Sequence, residues 1–335
     1  MSRQLHITVL VDPATIPPDD PQFKNASDKP ITEYHVCDAL RNLGHRVSVL
    51  GAECDIAAVV KTLVGHDPDL VFNLTEHFYG DRRYDKNIVA LLELLDIPFT
   101  GAGAMGLLLC RDKRLTKQLL TLHKIRVPNF LSLPHNQSIR IPKSLSFPLV
   151  VKPAFEDSSE GISNASIVYD EDALRERATF IHERWEQAVI AEEYIEGREL
   201  YVSVLGNKRL TVPPPRECFF DAGDDQGPLI LTYRCKWDRV YREKWKIHFG
   251  FAELEPGTLK NIERICKRAY RVLQLQDYGR IDMRLTPNNK LVVLEANPNP
   301  DIAYGEEVAE AAERAGIKYE DLIAKIIRLA LQRYK

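Results

Sequence analysis

The chain has 335 residues, with 45 Lys plus Arg against 48 Asp plus Glu and a formal net charge of −3. That balance leaves no surplus of positive charge to draw nucleic acid or an anionic membrane onto the surface, so neither is an expected partner and small molecules are. With 44% hydrophobic and 28% charged residues, disorder and fibrous classes are excluded, and the length suits two or three domains of roughly 100 to 200 residues. Leu5 to Val11 then reads as a strand, Ile31 to Leu43 as a helix stopped by Gly44, and Arg46 to Leu50 as a second strand. Asp55 to Val64 is a helix, Asp69 to Leu74 a third strand, and Lys86 to Leu95 a helix ended by Pro98. This alternation predicts a parallel sheet wrapped by helices, with Asp12 to Pro21 as a functional loop after the first strand.

From Gly101 the rhythm changes to α+β. One helix (Asp112 to Lys124) precedes extended segments at Phe147 to Pro153, Ile162 to Tyr169 and Ala188 to Ile195, with a helix between the last two. Leu200 to Leu205, a Pro/Gly/Asp-rich region from Pro213 to Pro228, a helix from Pro256 to Leu273, a hairpin from Arg280 to Asn297 and two closing helices complete the chain. No apolar run approaches the ~18 residues that span a bilayer, and the start has too short an apolar core for a signal peptide, so a cytoplasmic protein is expected. The six cysteines (Cys37, Cys54, Cys110, Cys218, Cys235, Cys266) form no CxxC pair and read as buried or incidental thiols.

Gly101-Ala-Gly103-Ala-Met-Gly106 satisfies GxGxxG, but residues 121 to 127 hold no carboxylate for a ribose, so a glycine-rich interdomain turn is the better reading. The hairpin carries more. Its two strands alternate around Asn288-Asn289, which tolerate the positive φ of a two-residue turn, and pairing 287 with 290 sets Asp282 opposite Glu295 and Arg280 opposite Asn297. Ile281, Met283, Leu285, Val292, Leu294 and Ala296 then form the apolar face. Facing carboxylates repel by up to ~1 kcal/mol unless a cation lies between them. Two carboxylates and the Asn297 amide oxygen are a donor set for Mg²⁺; the competing reading is a solvated face on which Arg280 and Arg284 pair the acids.

Four further segments occur in order: Cys110-Arg-Asp-Lys113; Phe147-Pro-Leu-Val-Val-Lys152-Pro153 with Glu156 to Gly161; Ile190-Ala-Glu192-Glu193-Tyr194-Ile195 with Gly197-Arg-Glu199; and Leu294-Glu295-Ala-Asn297. Together they resemble the ATP-grasp superfamily, in its D-alanine:D-alanine ligase branch, from about Val71 to the C-terminus. The resemblance implies an N-terminal pre-ATP-grasp parallel α/β domain (1–101) that binds substrate, followed by the two-lobed ATP-grasp fold. Its central lobe would be 102–192, and its C-terminal lobe, with the metal and catalytic residues, 193–335. It further implies that Lys113 and Lys152 hold ATP phosphates, as flexible point charges suit. Glu192, Glu193, Tyr194 and Ile195 would form the adenine linker, and Glu199 would take the ribose. Ser158 would be a catalytic residue in the phosphate lid, Lys236 would be a further phosphate-binding and catalytic lysine, and Arg280 the catalytic arginine. Asp282, Glu295 and Asn297 would bind Mg²⁺, with Mn²⁺ as a possible substitute.

The implied activity is ATP-dependent ligation of a carboxylate to an amine through an acylphosphate, with ADP released and amino acids or small peptides as substrates. The family's tendency implies a homodimer through the N-terminal domain. The lid departs from the pattern at Asp157 and Glu160. The substrate segments depart too: Asp12 to Pro21, Glu76 to Asp85, and Pro298-Asn299-Pro300-Asp301-Ile302 replace the family's usual residues. A different, more charged substrate follows as the expectation, with Glu76, Arg82, Arg83 and Asp301 as candidate contacts. Two other classes stay open, an ATP-grasp small-molecule kinase and a nucleotide-binding regulator without ligase activity.

Overall fold

The structure is a computed structural model that describes residues 3–16, 31–134, 140–156, 161–220, 230, 232, 235 and 238–335. Strand β1 (His6–Val11), helix α1 (Thr32–Asn42), β2 (Arg46–Gly51), α2 (Ile56–His66) and β3 (Leu70–Asn73) alternate and close a parallel sheet of order β2-β1-β3. β1 is apolar on both faces because helices cover both. Ile7 and Val9 enter one core cluster and Leu10 another. Helix α3 (Asp85–Leu94) follows, and Phe99 then bridges Val71 in parallel. Predicted and observed elements in this region agree to within a few residues at their ends.

The glycine motif opens helix α4 (Ala104–Arg111), which the sequence did not predict. Gly103 is its N-cap, Gly101 has a φ of +88°, and a side chain at Gly106 would meet the Gln274 carbonyl at 2.8 Å. The Gly101 and Ala102 amides donate to Asp277 and Asn299. These glycines serve close packing of the turn against the segment before and after the hairpin.

Helix α5 (Lys113–Leu122) starts at Asp112, whose carboxylate accepts from the Arg114 and Leu115 amides at 2.9 and 3.0 Å, a cap that contributes about 1 kcal/mol. Strands β4 (Phe130–Leu133), β5 (Leu149–Pro153) and β6 (Ile167–Val168), helix α6 (Glu171–Trp185) and strand β7 (Val189–Glu193) build the second sheet, antiparallel, of order β4-β7-β5-β6. The third sheet takes β8 (Arg198–Leu205), β9 (Arg216–Phe220), β10 (Ile247–Phe251) after helix α7 (Arg239–Lys244), and β11 (Tyr278–Leu285) with β12 (Leu291–Asn297) after helix α8 (Pro256–Val272); its order is β10-β9-β8-β11-β12. Helix α8 buries Ile262, Cys266, Ala269 and Tyr270, spaced as one helical face, against Leu200, Val202, Ile281 and Met283. The larger aliphatic side chains among these contribute roughly 1.5 to 3 kcal/mol each.

Two expectations change here. Helices α9 (Glu307–Arg314) and α10 (Tyr319–Leu331) also pack outside 193–335: Val308, Leu322, Ile323 and Ile326 share a core with Ile7, Val9 and Val36 of the first sheet as well as with Leu205 and Tyr278. Their apolar faces complete the cover that α1 begins on that side of the sheet. The hairpin turn is also one residue longer than predicted. Thr286 and Lys290 close it, with Asn289 at φ +55°, and the register shifts back between Asp282 and Met283, so that Met283 faces Val293. The bulge returns Asp282 to Glu295 and Arg280 to Asn297 as expected, but Val293 replaces Leu294 in the core and Val292 leaves the apolar face.

Gly197 lies between β7 and β8, where the chain passes from the second sheet to the third. Its φ is +145°, and a Cβ there would lie 2.2 Å from the Leu285 carbonyl oxygen. Gly197→Ala is expected to destabilise the fold by about 3 kcal/mol, from backbone strain plus overpacking, as read by urea unfolding. A loss below 1 kcal/mol would show that the crossing relaxes freely.

Candidate active site

Residues directly paired in an antiparallel sheet project to the same side. The pairings Phe251 to Arg216, Arg216 to Tyr201, Tyr201 to Asp282 and Asp282 to Glu295 therefore form one polar row across the third sheet. Ser203, Arg280 and Asn297 make the row on one side of it, and Cys218, Glu199 and Arg284 the row on the other. A single sheet face thus gathers Glu199, Arg280, Asp282, Glu295 and Asn297, while the opposite face is core.

The second sheet and helix α5 close over this face. Lys113, Lys152, Glu192, Glu193, Tyr194, Ile195, Glu199, Arg280, Asp282, Glu295 and Asn297 line one cavity of about 100 Å³. Ser158 and Lys236, expected at the same place, lie outside the described residues. Lys113 Nζ meets Glu295 Oε1 at 2.8 Å and also donates to the Glu156 carbonyl. Arg280 grips Asp282 with two hydrogen bonds of 2.7 and 3.0 Å, reaches Glu307 at 3.3 Å, and stacks 5.3 Å over the Tyr201 ring. Burial opposes the Arg280 charge, but Asp282 and Glu307 outweigh it and raise its pKa above the ordinary arginine range. The repulsion between Asp282 and Glu295 is thereby offset by Arg280 and Lys113. Arg284, the other cation considered for these acids, instead pairs Glu199 at 2.5 Å.

The sequence reading missed Lys117. It sits one turn after Lys113 on the same face of α5 and is 1% exposed. Helical spacing was the available signal. Its ammonium faces Glu192 Oε2 at 2.7 Å and donates to the Leu294 carbonyl, at the hairpin bulge, at 2.8 Å. Lys152 meets Glu192 Oε1 at 2.5 Å. Burial would raise the Glu192 carboxyl, but the two lysines hold it down at about 2. Burial leaves Lys117 below the ordinary lysine range, whereas Glu192 and Glu295 overcome burial at Lys152 and hold it above. The contact of Lys117 with Oε2 is an ion contact without aligned hydrogen-bond geometry, so that oxygen keeps free accepting capacity.

The other linker residues are held by their neighbours. Glu193 accepts from Asn129 Nδ2 and the Ser146 amide at 2.9 and 3.0 Å. The Tyr194 amide donates to the Pro148 carbonyl, and the Ile195 carbonyl accepts from Arg284. Glu199 accepts from Tyr201 and Arg284 and keeps further lone pairs.

A second cavity of about 460 Å³ adjoins the first, and Arg280 and Asn297 line both. Glu76, Arg82 and Asp301, the candidate substrate contacts, line it. Arg83 is not among its walls and instead pairs with Asp81 on its own loop at 2.5 Å. Arg111, Arg216, Arg242, Glu306 and Glu307 also line it and were not anticipated, because their approach depends on the packing of separate elements. In the Asp12 to Pro21 loop, the described Asp12 is buried and accepts from the Glu76 and His77 amides, which ties that loop to this cavity's wall. No described helix is long and apolar enough to cross a membrane.

The family model for the D-ala D-ala ligase C-terminus matches residues 120–328. The D-alanine–D-alanine ligase of Aquifex aeolicus (strain VF5) is 30% identical over 295 residues, 87% of this chain and 92% of that protein. The uncharacterized protein y4sG of Sinorhizobium fredii (strain NBRC 101917 / NGR234) is 30% identical over 304 residues, covering 89% of this chain and 87% of that protein. The crystal structure of D-alanine–D-alanine ligase from Bacillus anthracis complexed with ATP shares the fold, with a TM-score of 0.76 at 22% identity over 98% of each chain. The motifs on both sides of the cleft, the sheet that carries them and the extent of these matches agree: the chain belongs to the D-alanine–D-alanine ligase-like branch of the ATP-grasp superfamily, a family of ATP-dependent ligases.

Proposed function

We propose that the protein joins a carboxylate to an amine at the expense of ATP, releasing ADP and phosphate, with an amino acid or small peptide on each side and a substrate other than two D-alanines. The observation that carries this reading is the shared wall. Arg280 and Asn297 stand between a lysine-lined cleft suited to phosphates and a separate charged cavity suited to substrate.

Lys113 and Lys152 bring cationic charge to the γ-phosphate, and the backbone of Glu193 to Ile195 lines the base end of the cleft. The substrate carboxylate oxygen attacks the γ-phosphorus and ADP leaves. The amine nitrogen then attacks the acyl carbon, phosphate departs, and the amine loses its proton as the amide forms. Arg280, preorganised by Asp282 and Glu307, donates to the oxyanion of that second step. The residues fit a divalent cation: Asp282 and Glu295 are direct cross-strand partners with Asn297 two residues on, a hard-oxygen donor set that suits Mg²⁺. When bound there, Mg²⁺ would neutralise phosphate charge.

Purified protein with ATP, Mg²⁺ and a panel of amino acids and dipeptides is expected to release ADP only when substrate is present, with a condensed amide in the product mass spectrum. A phosphorylated product without condensation would favour a kinase, and no turnover with any member would favour a nucleotide-binding regulator. Glu295→Gln is expected to raise the Mg²⁺ needed for half-maximal ADP release by about tenfold or more, since one charged ligand is lost. An unchanged Mg²⁺ requirement would remove Glu295 from the metal site.

A further inference from the structure

We propose that the second cavity receives a substrate with an anionic group besides its reacting carboxylate, held by Arg216 and Arg242, so that one partner in ligation is an acidic amino acid or a peptide ending in one. This rests on the ligase reading and narrows its substrate. Of the cavity's arginines, Arg82 is matched by Glu76 at 2.8 Å, Arg111 by Asp85, and Arg280 by Asp282 and Glu307. Arg216 and Arg242 are left with capacity. Arg216 is 9% exposed, and its guanidinium touches Glu310 through one terminal nitrogen at 3.2 Å while its buried Nε has no hydrogen-bond partner among the described residues. Arg242 lines the same cavity from α7, partly buried, with no ion pair to a described carboxylate.

Arg216 lines the cavity and meets Glu310 through one terminal nitrogen, so its other terminal N–H groups can donate to a ligand oxygen. The placement suits a short dicarboxylate. Arg216 lies on β9, two strands from β11, which carries Arg280; that separation is roughly 10 Å at the usual strand spacing. The extra carboxylate of a four- or five-carbon amino acid would then meet Arg216 and Arg242 while its reacting carboxyl group lies toward the Arg280 wall that the two cavities share. Of the carboxylates on this cavity, Glu76, Asp85 and Glu307 are taken up by Arg82, Arg111 and Arg280, Asp301 accepts from Thr32 and the Ala303 amide, and Glu306 also lines it. Burial, with Glu307 and Asp301 nearby, lifts the Glu306 carboxyl to about 7.

The experiment is ADP release by the full chain with D- and L-aspartate and glutamate against asparagine, glutamine and alanine, each offered with a panel of second amino acids. The acidic members are expected to give at least tenfold higher kcat/KM than their amides. Arg242→Gln, on a partly exposed helix, is expected to raise KM for the acidic substrate 10- to 100-fold and leave KM for ATP within twofold; Arg216→Lys should act in the same direction. Equal use of glutamate and glutamine, or an Arg242→Gln variant with unchanged KM for glutamate, overturns the substrate class, while ADP release with a condensed amide product keeps the ligase reading. No ADP release with any combination overturns both.

Discussion

Arg280→Lys is expected to lower kcat for amide formation by 10² to 10³-fold while KM for ATP changes little. Among the described residues Arg280 is the one cation that lines both cavities, and its planar fork makes two hydrogen bonds to Asp282 that a lysine cannot reproduce. Its donors are fixed before the acyl oxyanion appears, so their stabilisation falls on the transition state rather than on substrate binding. Keeping the charge in the variant limits the cost of leaving Asp282 and Glu307 buried without a cation. Thermal unfolding of the variant separates loss of chemistry from loss of fold. A well-folded Arg280→Lys protein with less than a tenfold drop in kcat would remove Arg280 from the reaction.

The second large effect is on stability. Glu192→Gln leaves Lys117 and Lys152 buried without their shared carboxylate, and breaking a buried ion pair by removing one partner typically costs about 3 to 5 kcal/mol. The glutamine keeps the volume, so packing loss does not confound the result. The pH dependence has a definite sign. The folded-state carboxyl lies at about 2, below its ordinary 4.5, so its contribution is complete above pH 4.5 and fades as pH falls toward 2. The wild-type advantage over Glu192→Gln in urea unfolding is therefore expected to be constant from pH 6 to 8 and to shrink below 4.5. Adding Lys117→Met to Glu192→Gln should restore part of the loss, because one stranded charge disappears. A Glu192→Gln cost under 1 kcal/mol would mean that water reaches the triad.

Both effects depend on contacts between elements far apart in the chain, and that marks the limit of sequence reading here. The strand and helix order of the first hundred residues was legible because each element has its own period. The pairing of Asp282 with Glu295 was legible because a hairpin is local. Even there, the turn and the bulge carried equal and opposite errors, and only the backbone hydrogen bonds of Thr286 and Lys290 separated them. Side-chain alternation is blind to a bulge until the pairing beyond it is known.

By itself, the sequence determined the family, the sheet classes and most of the cleft, because ATP-binding chemistry is carried by short segments whose residue types and order survive without their neighbours. It could not supply the partners. That Glu192 neutralises two lysines, that Arg280 belongs to two cavities, and that the last two helices return to the first sheet were decided by tertiary packing. The physical reason is that burial and charge pairing act across space, between residues such as Lys117 and Leu294 or Arg216 and Glu310, whose separation along the chain has no period to read.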